Sequence, residues 1–291
     1  MRKSLIMVAI ISLFLLPKVY GHLILLDDFT FKAGSKYIDN IDKLQYLGRS
    51  HVNITDGDGS GTTLPTPGDS FTDAIIFSIG PGDFYNDSTG LIKTYRDGTS
   101  INADDFELTG VAYLTGVHTP LTQGDDADYI FLTGTLDLYY DSPLNASFAN
   151  ASTYTDGEHI AQFTLLCGGG NFDFGDLDGN IDVDFKVNWI KSGYFFTKEG
   201  VDFANLDFVA ALTDSNSDAD VNGDGVPDIT LPLDWKSVTG QEIGDDDMDL
   251  NLEVDGSARF ATPEPTSLLL LGGGLLGLAG LRIRRKKKLV R

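Results

Sequence analysis

NIDVDFKVNWI, residues 180–190, alternates polar and apolar residues from Asn180 to Trp189. The odd-numbered positions form one apolar face, which consists of Ile181, Val183, Phe185, Val187 and Trp189. A period of two is typical of an antiparallel strand that buries one face and leaves the other in water. The stretch therefore predicts a half-buried strand and, with it, a mainly β fold.

Further strands are predicted on the N-terminal side of this one. Each is an apolar or alternating run bounded by Gly, Pro or Asp: DAIIFSIGPGD (73–83), FELTGVAYLTG (106–116), DYIFLTGTLDLYYD (128–141) and HIAQFTLLCGG (159–169). The stretch 201–212 fits either a strand or a short helix. Several short strands separated by turn residues predict an antiparallel β-sandwich or jelly-roll-like body.

The charge of the chain is concentrated in its middle. The 291 residues have a formal net charge of −22, but both ends are basic. Residues 1–21 add three positive charges and residues 263–291 add six, so the segment between them has a net charge of −31. Such a surface repels polyanions, and we therefore expect no nucleic-acid partner. Of the 43 acidic residues, 37 are Asp, which favours turns over helices.

The N-terminus predicts export. Residues 1–21 combine a basic start at Arg2 and Lys3 with an apolar run from Leu5 to Leu16. We interpret this segment as a signal peptide that signal peptidase and the secretion machinery handle, with cleavage after Gly21. An uncleaved membrane anchor is the alternative, although the apolar run is short for a span.

The C-terminus, residues 263–291, has three parts in order. Pro263, Glu264 and Pro265 come first, residues 266–281 follow without a charged side chain, and a cluster of Arg and Lys ends the chain. We predict a transmembrane helix over 266–281 that snorkelling Arg and Lys side chains extend. The positive-inside rule keeps the basic end in the cytoplasm, so the body lies outside the membrane.

This three-part tail resembles the PEP-CTERM sorting signal. The resemblance implies an exported protein of a Gram-negative bacterium that produces exopolysaccharide. It also implies an exosortase as the partner that recognises Pro263, Glu264 and Pro265 and removes the tail. The protein would then move from the inner membrane and periplasm to the cell surface or extracellular matrix. The alternative is a plain single-span anchor.

One motif predicts a metal site. Asp220-Val-Asn222-Gly-Asp224-Gly-Val226-Pro-Asp228 fits the spacing of a calcium loop, in which residues two apart turn inward and a glycine permits the sharp turn. We predict calcium ligands at Asp220, Asn222, Asp224 and Asp228 and at the Val226 carbonyl. Leu231 occupies the twelfth position, where an EF-hand has Glu, so the loop resembles those of integrin-type and thrombospondin-type repeats.

Three weaker acidic clusters are compatible with a cation and are also typical of solvated turns. They lie at residues 56–58, 173–182 and 245–249. The resulting domain prediction is a signal peptide over 1–21, a β body over 22–215, an Asp-rich calcium-loop and stalk region over 216–262, and the sorting signal over 263–291.

The sequence contains no recognised catalytic motif. We therefore predict a non-enzymatic surface or matrix protein that calcium stabilises and that supports aggregation or biofilm, with exopolysaccharide as a partner. One alternative is a calcium-dependent carbohydrate-binding adhesin. Another is a secreted polysaccharide-active hydrolase, since the chain has carboxylates to spare.

Overall fold

The computed structural model describes residues 23–57, 59, 64–102, 105–142, 144–207, 209–244 and 248–263. The chain divides into two units. Residues 25–261 form one of them. The other comprises residues 1–24 and 262–291, of which the structure describes 23–24 and 262–263. The predicted signal peptide and transmembrane helix therefore lie outside the described residues.

Strands dominate the described part of the chain. They are β1 Leu23–Leu25, β2 Phe29–Ala33, β3 Lys36–Ile41, β4 Lys43–Thr55, β5 Ser70–Ile79, β6 Phe84–Asn86, β7 Gly90–Leu91, β8 Glu107–His118, β9 Asp126–Asp141, β10 Glu158–Asp173, β11 Asp178–Ile190, β12 Phe195–Phe196, β13 Ala210–Asp218 and β14 Leu250–Pro263. One short helix, α1, covers Trp235–Thr239, and 3-10 turns cover Ala151–Tyr154 and Phe203–Asn205. The prediction of a mainly β, antiparallel body is confirmed.

The predicted sandwich or jelly roll is wrong, because the main sheet closes on itself. Eight strands pair antiparallel in chain order: β4, β5, β8, β9, β10, β11, β13 and β14. β14 then pairs back with β4, from Leu250 opposite Val52 to Ala258 opposite Leu44. The result is an eight-stranded barrel. Alternating burial is the same in a sandwich and a barrel, so the local pattern does not distinguish them.

The barrel interior is mostly apolar and mostly filled. Inward glycines make room for large rings: a Cβ on Gly110 would lie 2.2 Å from the Phe77 ring, and one on Gly116 would lie 2.3 Å from the Phe71 ring. This pairing of small with large residues is how narrow barrels fill their interior. A residual cavity of about 80 Å³ remains, with side chains from all eight strands around it.

A second, three-stranded sheet of β12, β2 and β3 supplies aromatic side chains to the same core. Phe29 and Phe31 on β2 are fully buried. Phe29 meets Phe260 of β14 edge-to-face at 5.3 Å between ring centroids, and Phe31 lies 5.5 Å from Phe106. These contacts join the small sheet to the end of the barrel at which β14 finishes.

A smaller core lies on the outer side of β5. Ala74 and Ile76 point away from the barrel axis and are nevertheless buried, because Tyr154 and Trp235 cover them. The Asp234 carboxylate fixes this cover by accepting the N–H groups of residues 151 and 152, at 2.7 and 2.9 Å. Trp235 is fully buried as a result.

The stretch 216–262, predicted as a calcium-loop and stalk region, contains the end of β13 and nearly all of β14. It therefore contributes directly to the barrel. Among the described residues, the helices are too short or too polar to cross a bilayer.

Candidate functional site

The predicted calcium loop follows β13. The alternating side chains at 214, 216 and 218 belong to the strand, and the chain turns away after Ala219. The N–H of Asp228 donates to the Ala219 carbonyl at 2.9 Å, which closes a compact loop over 220–228. Gly223 and Gly225 have φ values of 74° and 82°, a region that L side chains rarely adopt. These two glycines therefore permit the sharp turn, as the motif predicts.

Asp220 organises this loop. Its carboxylate accepts the N–H groups of Gly223 at 2.9 Å, Asp224 at 3.1 Å and Gly225 at 2.5 Å. The side chain is thus turned toward the loop centre, as a calcium ligand at the first position would be. Three N–H donors partly compensate its charge when no cation is present.

The other predicted ligands also turn toward the loop. The Asn222 oxygen accepts the Asp224 N–H at 3.0 Å, and Asp228 accepts the Val221 N–H at 3.2 Å. Val226 donates its N–H to the Asp224 carboxylate at 3.0 Å. Oxygen ligands at this spacing suit Ca²⁺, and each carboxylate retains lone pairs beyond those used. Within the described residues, however, no three His, Cys, Asp or Glu side chains converge as a metal group. Calcium here stays a prediction.

Two of the weaker acidic clusters form turns, whereas Asp249 of the third cluster bonds to a residue of β4. Asp56 accepts the Gly59 N–H at 2.8 Å, and Asp173 accepts the Gly175 N–H at 2.7 Å between β10 and β11. Asp249 accepts the Ile54 N–H at 3.0 Å. Residues 58 and 245–247 lie outside the described part of the chain. Short carboxylates that bond to nearby N–H groups are typical of Asx turns.

Strand pairing also aligns acidic residues that are far apart in sequence. One row crosses five neighbouring barrel strands, β9 to β14, and consists of Asp126, Asp173, Asp178, Asp218 and Glu253. Glu253 is directly opposite Arg49 on β4 and forms a 3.1 Å ion pair with it. Like charges in directly opposite positions destabilise a sheet. The local sequence gives no sign of this row, because its members meet only through strand register.

Polar groups are also buried inside the barrel, near the start of β5. Asp73, His118 and Tyr129 surround a cavity of about 30 Å³. Burial raises the pKa of Asp73 to about 7, although a hydrogen bond from Ser50 opposes the shift. Burial also lowers the pKa of His118, whose two ring nitrogens have no hydrogen-bond partner among the described residues. A cavity of this size has room for water, which would satisfy those nitrogens. Sequence reasoning missed the group, because an Asp at the start of an apolar run is typical of a strand boundary.

The predicted sorting residues lie where β14 ends. Pro263 is the last residue of that strand, whereas Glu264 and Pro265 lie outside the described residues. Ala258 pairs with β4, and Ala261 still pairs with Ala210 of β13. The barrel strand thus runs to the first residues of the sorting segment.

Comparison with known families identifies the tail. The model of the PEP-CTERM protein-sorting motif matches residues 261–286, which confirms the resemblance seen in the sequence. No curated protein and no solved structure matches the chain. The motif implies export, membrane anchoring before processing, and an exosortase as the processing partner. The chain therefore carries a PEP-CTERM sorting signal, which supports an exported protein that an exosortase processes.

Proposed function

We propose that this is a non-enzymatic protein of the cell surface or extracellular matrix of an exopolysaccharide-producing Gram-negative bacterium, which an exosortase releases from its membrane tail. The proposal rests on the position at which the last barrel strand ends relative to the sorting motif. β14 supplies the last barrel strand and ends at Pro263, and the sorting motif begins at Ala261. Removal of the tail after this point leaves every barrel strand in the mature protein.

The character of the barrel supports a structural or binding role. The interior cavity of about 80 Å³ is lined almost entirely by apolar side chains, which offer no acid or base for catalysis. The interior cavity of about 30 Å³ contains Asp73 and His118, but it has room for little more than a water molecule. A larger cleft of about 420 Å³ lies at the surface near β3 and β6. Asp39 is the carboxyl group in the lining of this cleft, and Arg96 binds it. Glycoside hydrolysis ordinarily uses two carboxyl groups across the scissile bond, so the cleft does not favour the hydrolase alternative.

Calcium has a structural role in this proposal. The loop over 220–228 holds Asp220, Asp224 and Asp228 within nine residues of a body that is already acidic. A bound Ca²⁺ would neutralise this local charge and fix the loop against β13. The mature protein would then remain with exopolysaccharide and support aggregation or biofilm.

Mass spectrometry of C-terminal peptides tests the proposal. The protein is recovered from inner-membrane and extracellular fractions of cells that express an exosortase. We expect extracellular protein to end close to Pro263 and to lack peptides from the basic end. Extracellular protein that retains peptides through Arg285, or protein found intact in the inner membrane alone, would contradict it.

Two variants make this experiment specific. Glu264→Ala changes the second residue of the sorting triplet, and we expect it to leave the tail attached. Glu242→Ala removes the same charge from an exposed position between α1 and β14 and serves as the matched control. Equal processing of both variants would show that the triplet is not what the exosortase reads.

A further inference from the structure

Three aromatic rings form a connected group on the outer face of β9, β10 and β11, and we call Tyr139, His159 and Trp189 the ring triad. The His159 ring stacks on Tyr139, with 4.9 Å between centroids and 27° between planes. Trp189 meets His159 edge-to-face, also at 4.9 Å. Trp189 is 40% exposed, although burial of an aromatic side chain of this size would remove a large apolar area from water.

Two irregularities in strand pairing turn two of these rings, His159 and Trp189, outward. Between β10 and β11, Gln162 pairs with Trp189 but Phe163 pairs with Val187, so Asn188 is an extra residue. Because of this extra residue, Trp189 points outward although Val187 lies on the inward face. Ile190 is buried in place of Trp189. A second shift beside His159 makes Ile160 an extra residue of β10 against β9. Bulges re-aim side chains and are common beside functional sites.

Hydrogen bonds hold the triad in place. The Asp137 carboxylate lies 3.0 Å from the His159 Nε2 and accepts a hydrogen bond of 3.0 Å from the Gln162 amide. Asp137, Gln162 and Trp189 are directly opposite one another on three successive strands. Since His159 touches both other rings, Asp137 orients the whole group. An exposed surface that is ordered in this way loses little conformational freedom when it binds.

The surroundings of the triad are polar and close to neutral. Thr135 and Thr164 are opposite each other on β9 and β10, and Asn188 donates to the Thr164 hydroxyl. Lys191 forms an ion pair with Glu158. This face differs from the acidic row across β9 to β14, although both lie on the same barrel.

We infer that the ring triad and its hydroxyl and amide neighbours bind a neutral polysaccharide chain. The C–H face of a pyranose is apolar and packs on the electron-rich face of an aromatic ring, and sugar hydroxyls bond to Thr, Asn and Gln side chains. Net negative charge over the body repels acidic polymers, whereas an uncharged chain meets no such penalty. The inference rests on the proposed function, because it names what would retain the protein in the matrix.

The barrel offers little to a peptide partner at this face. Strand addition requires an unpaired sheet edge, and β9, β10 and β11 each pair on both sides. An amphipathic helix binds in an apolar groove, whereas Thr, Asn and Gln side chains surround the ring triad. These features favour a flat, hydroxyl-rich ligand.

Affinity electrophoresis of the full chain in native gels tests the inference. The probes are hydroxyethylcellulose, galactomannan and dextran, with alginate as the anionic comparison. We expect at least one neutral polysaccharide to retard the protein and alginate to have no effect. Trp189→Ala should weaken the retardation about tenfold, because an aromatic anchor supplies a large share of the binding free energy. Trp189→Phe keeps a ring and should retain part of the binding.

Fluorescence supplies a second readout. The chain has two tryptophans, and Trp235 is fully buried whereas Trp189 is exposed. A bound polysaccharide should therefore protect Trp189 from acrylamide quenching. Leu233→Ala changes a fully exposed apolar side chain outside the triad and should bind like the unaltered protein. Thermal unfolding confirms that each variant folds.

The inference is overturned if none of the neutral polysaccharides retards the protein, if alginate alone does, or if Trp189→Ala binds as before. These outcomes are separate from those of the proposed function, because binding by purified protein requires no exosortase. Correct tail removal without binding would overturn this inference alone, and binding by a chain whose tail is never removed would overturn the processing alone.

Discussion

Asp73 shows at the residue scale how burial changes the chemistry of a side chain. It lies inside the barrel on β5 and is 2% exposed, with a hydrogen bond from the Ser50 hydroxyl. In the unfolded chain it ionises near its ordinary pKa of 3.8, whereas burial raises the pKa of the folded group to about 7. The folded state therefore binds more protons between these values, so its free energy of unfolding falls as pH rises through that window.

Asp73→Asn tests this pH dependence. We expect the variant to be roughly 1–3 kcal/mol more stable than the unaltered protein at pH 8, because the amide is never ionised. Near pH 4 the two proteins should be alike. Urea unfolding at both pH values measures the difference. Leu233→Ala, at a fully exposed side chain that does not titrate, is the control and should shift stability equally at both. A constant difference for Asp73→Asn would contradict the raised pKa.

Gly110 is a second residue whose role depends on its neighbour. Gly110→Ala places a Cβ where the Phe77 ring lies, and we expect a loss of about 1–3 kcal/mol from overpacking. Phe77→Leu should relieve the clash, so the double variant should lose less than the sum of the single losses. Gly82→Ala is the control, because no heavy atom of the described residues lies within 4 Å of its added Cβ. Strict additivity in urea unfolding would argue against this contact.

β11 shows, at the scale of one element, how well a local sequence pattern predicts which side chains are buried. Ile181, Val183 and Phe185 are each 3% exposed, as the alternation predicts. The prediction is wrong at Trp189, which the bulge at Asn188 turns outward. A bulge is a mismatch between two strands, so it cannot be read from one strand alone.

The loop over 220–228 carries a prediction at the same scale. Its residues and glycines could be located from the sequence, because a calcium motif is short and contiguous. If Ca²⁺ binds, it should raise the free energy of unfolding. The increase is about 2.7 kcal/mol when the free Ca²⁺ concentration is a hundred times the dissociation constant. Thermal unfolding with Ca²⁺, with Mg²⁺ and with chelator measures the effect.

Asp220→Asn should abolish the calcium effect, because Asp220 organises the loop. Asp176→Asn, in the turn between β10 and β11, is the matched control and should retain it. Equal stabilisation by Mg²⁺, or by Ca²⁺ in both variants, would indicate charge screening over the acidic body in place of a specific site.

Barrel closure belongs to the scale of the whole molecule. β4 and β14 pair over nine register positions although about two hundred residues separate them. Without β14, β4 and β13 would each expose a row of unpaired N–H and C=O groups. Closure therefore makes the C-terminal strand a condition for a complete fold.

Truncation tests this dependence. A chain that ends after Pro263 keeps β14 and should unfold cooperatively, with the same midpoint as the full chain. A chain that ends after Asp249 lacks β14 and should lose the cooperative transition. Circular dichroism on heating measures both. Cooperative unfolding of the shorter chain would show that closure is dispensable.

The sequence by itself determined the sorting tail, the strand character of the body and the position of the Asp-rich loop. Each is a local feature, encoded by composition or period within a few residues. Only the tertiary structure decided that the sheet closes, that Trp189 faces outward beside His159, and that acidic residues from five strands form one row. These depend on register between distant strands, where a shift of one residue moves every side chain to the other face.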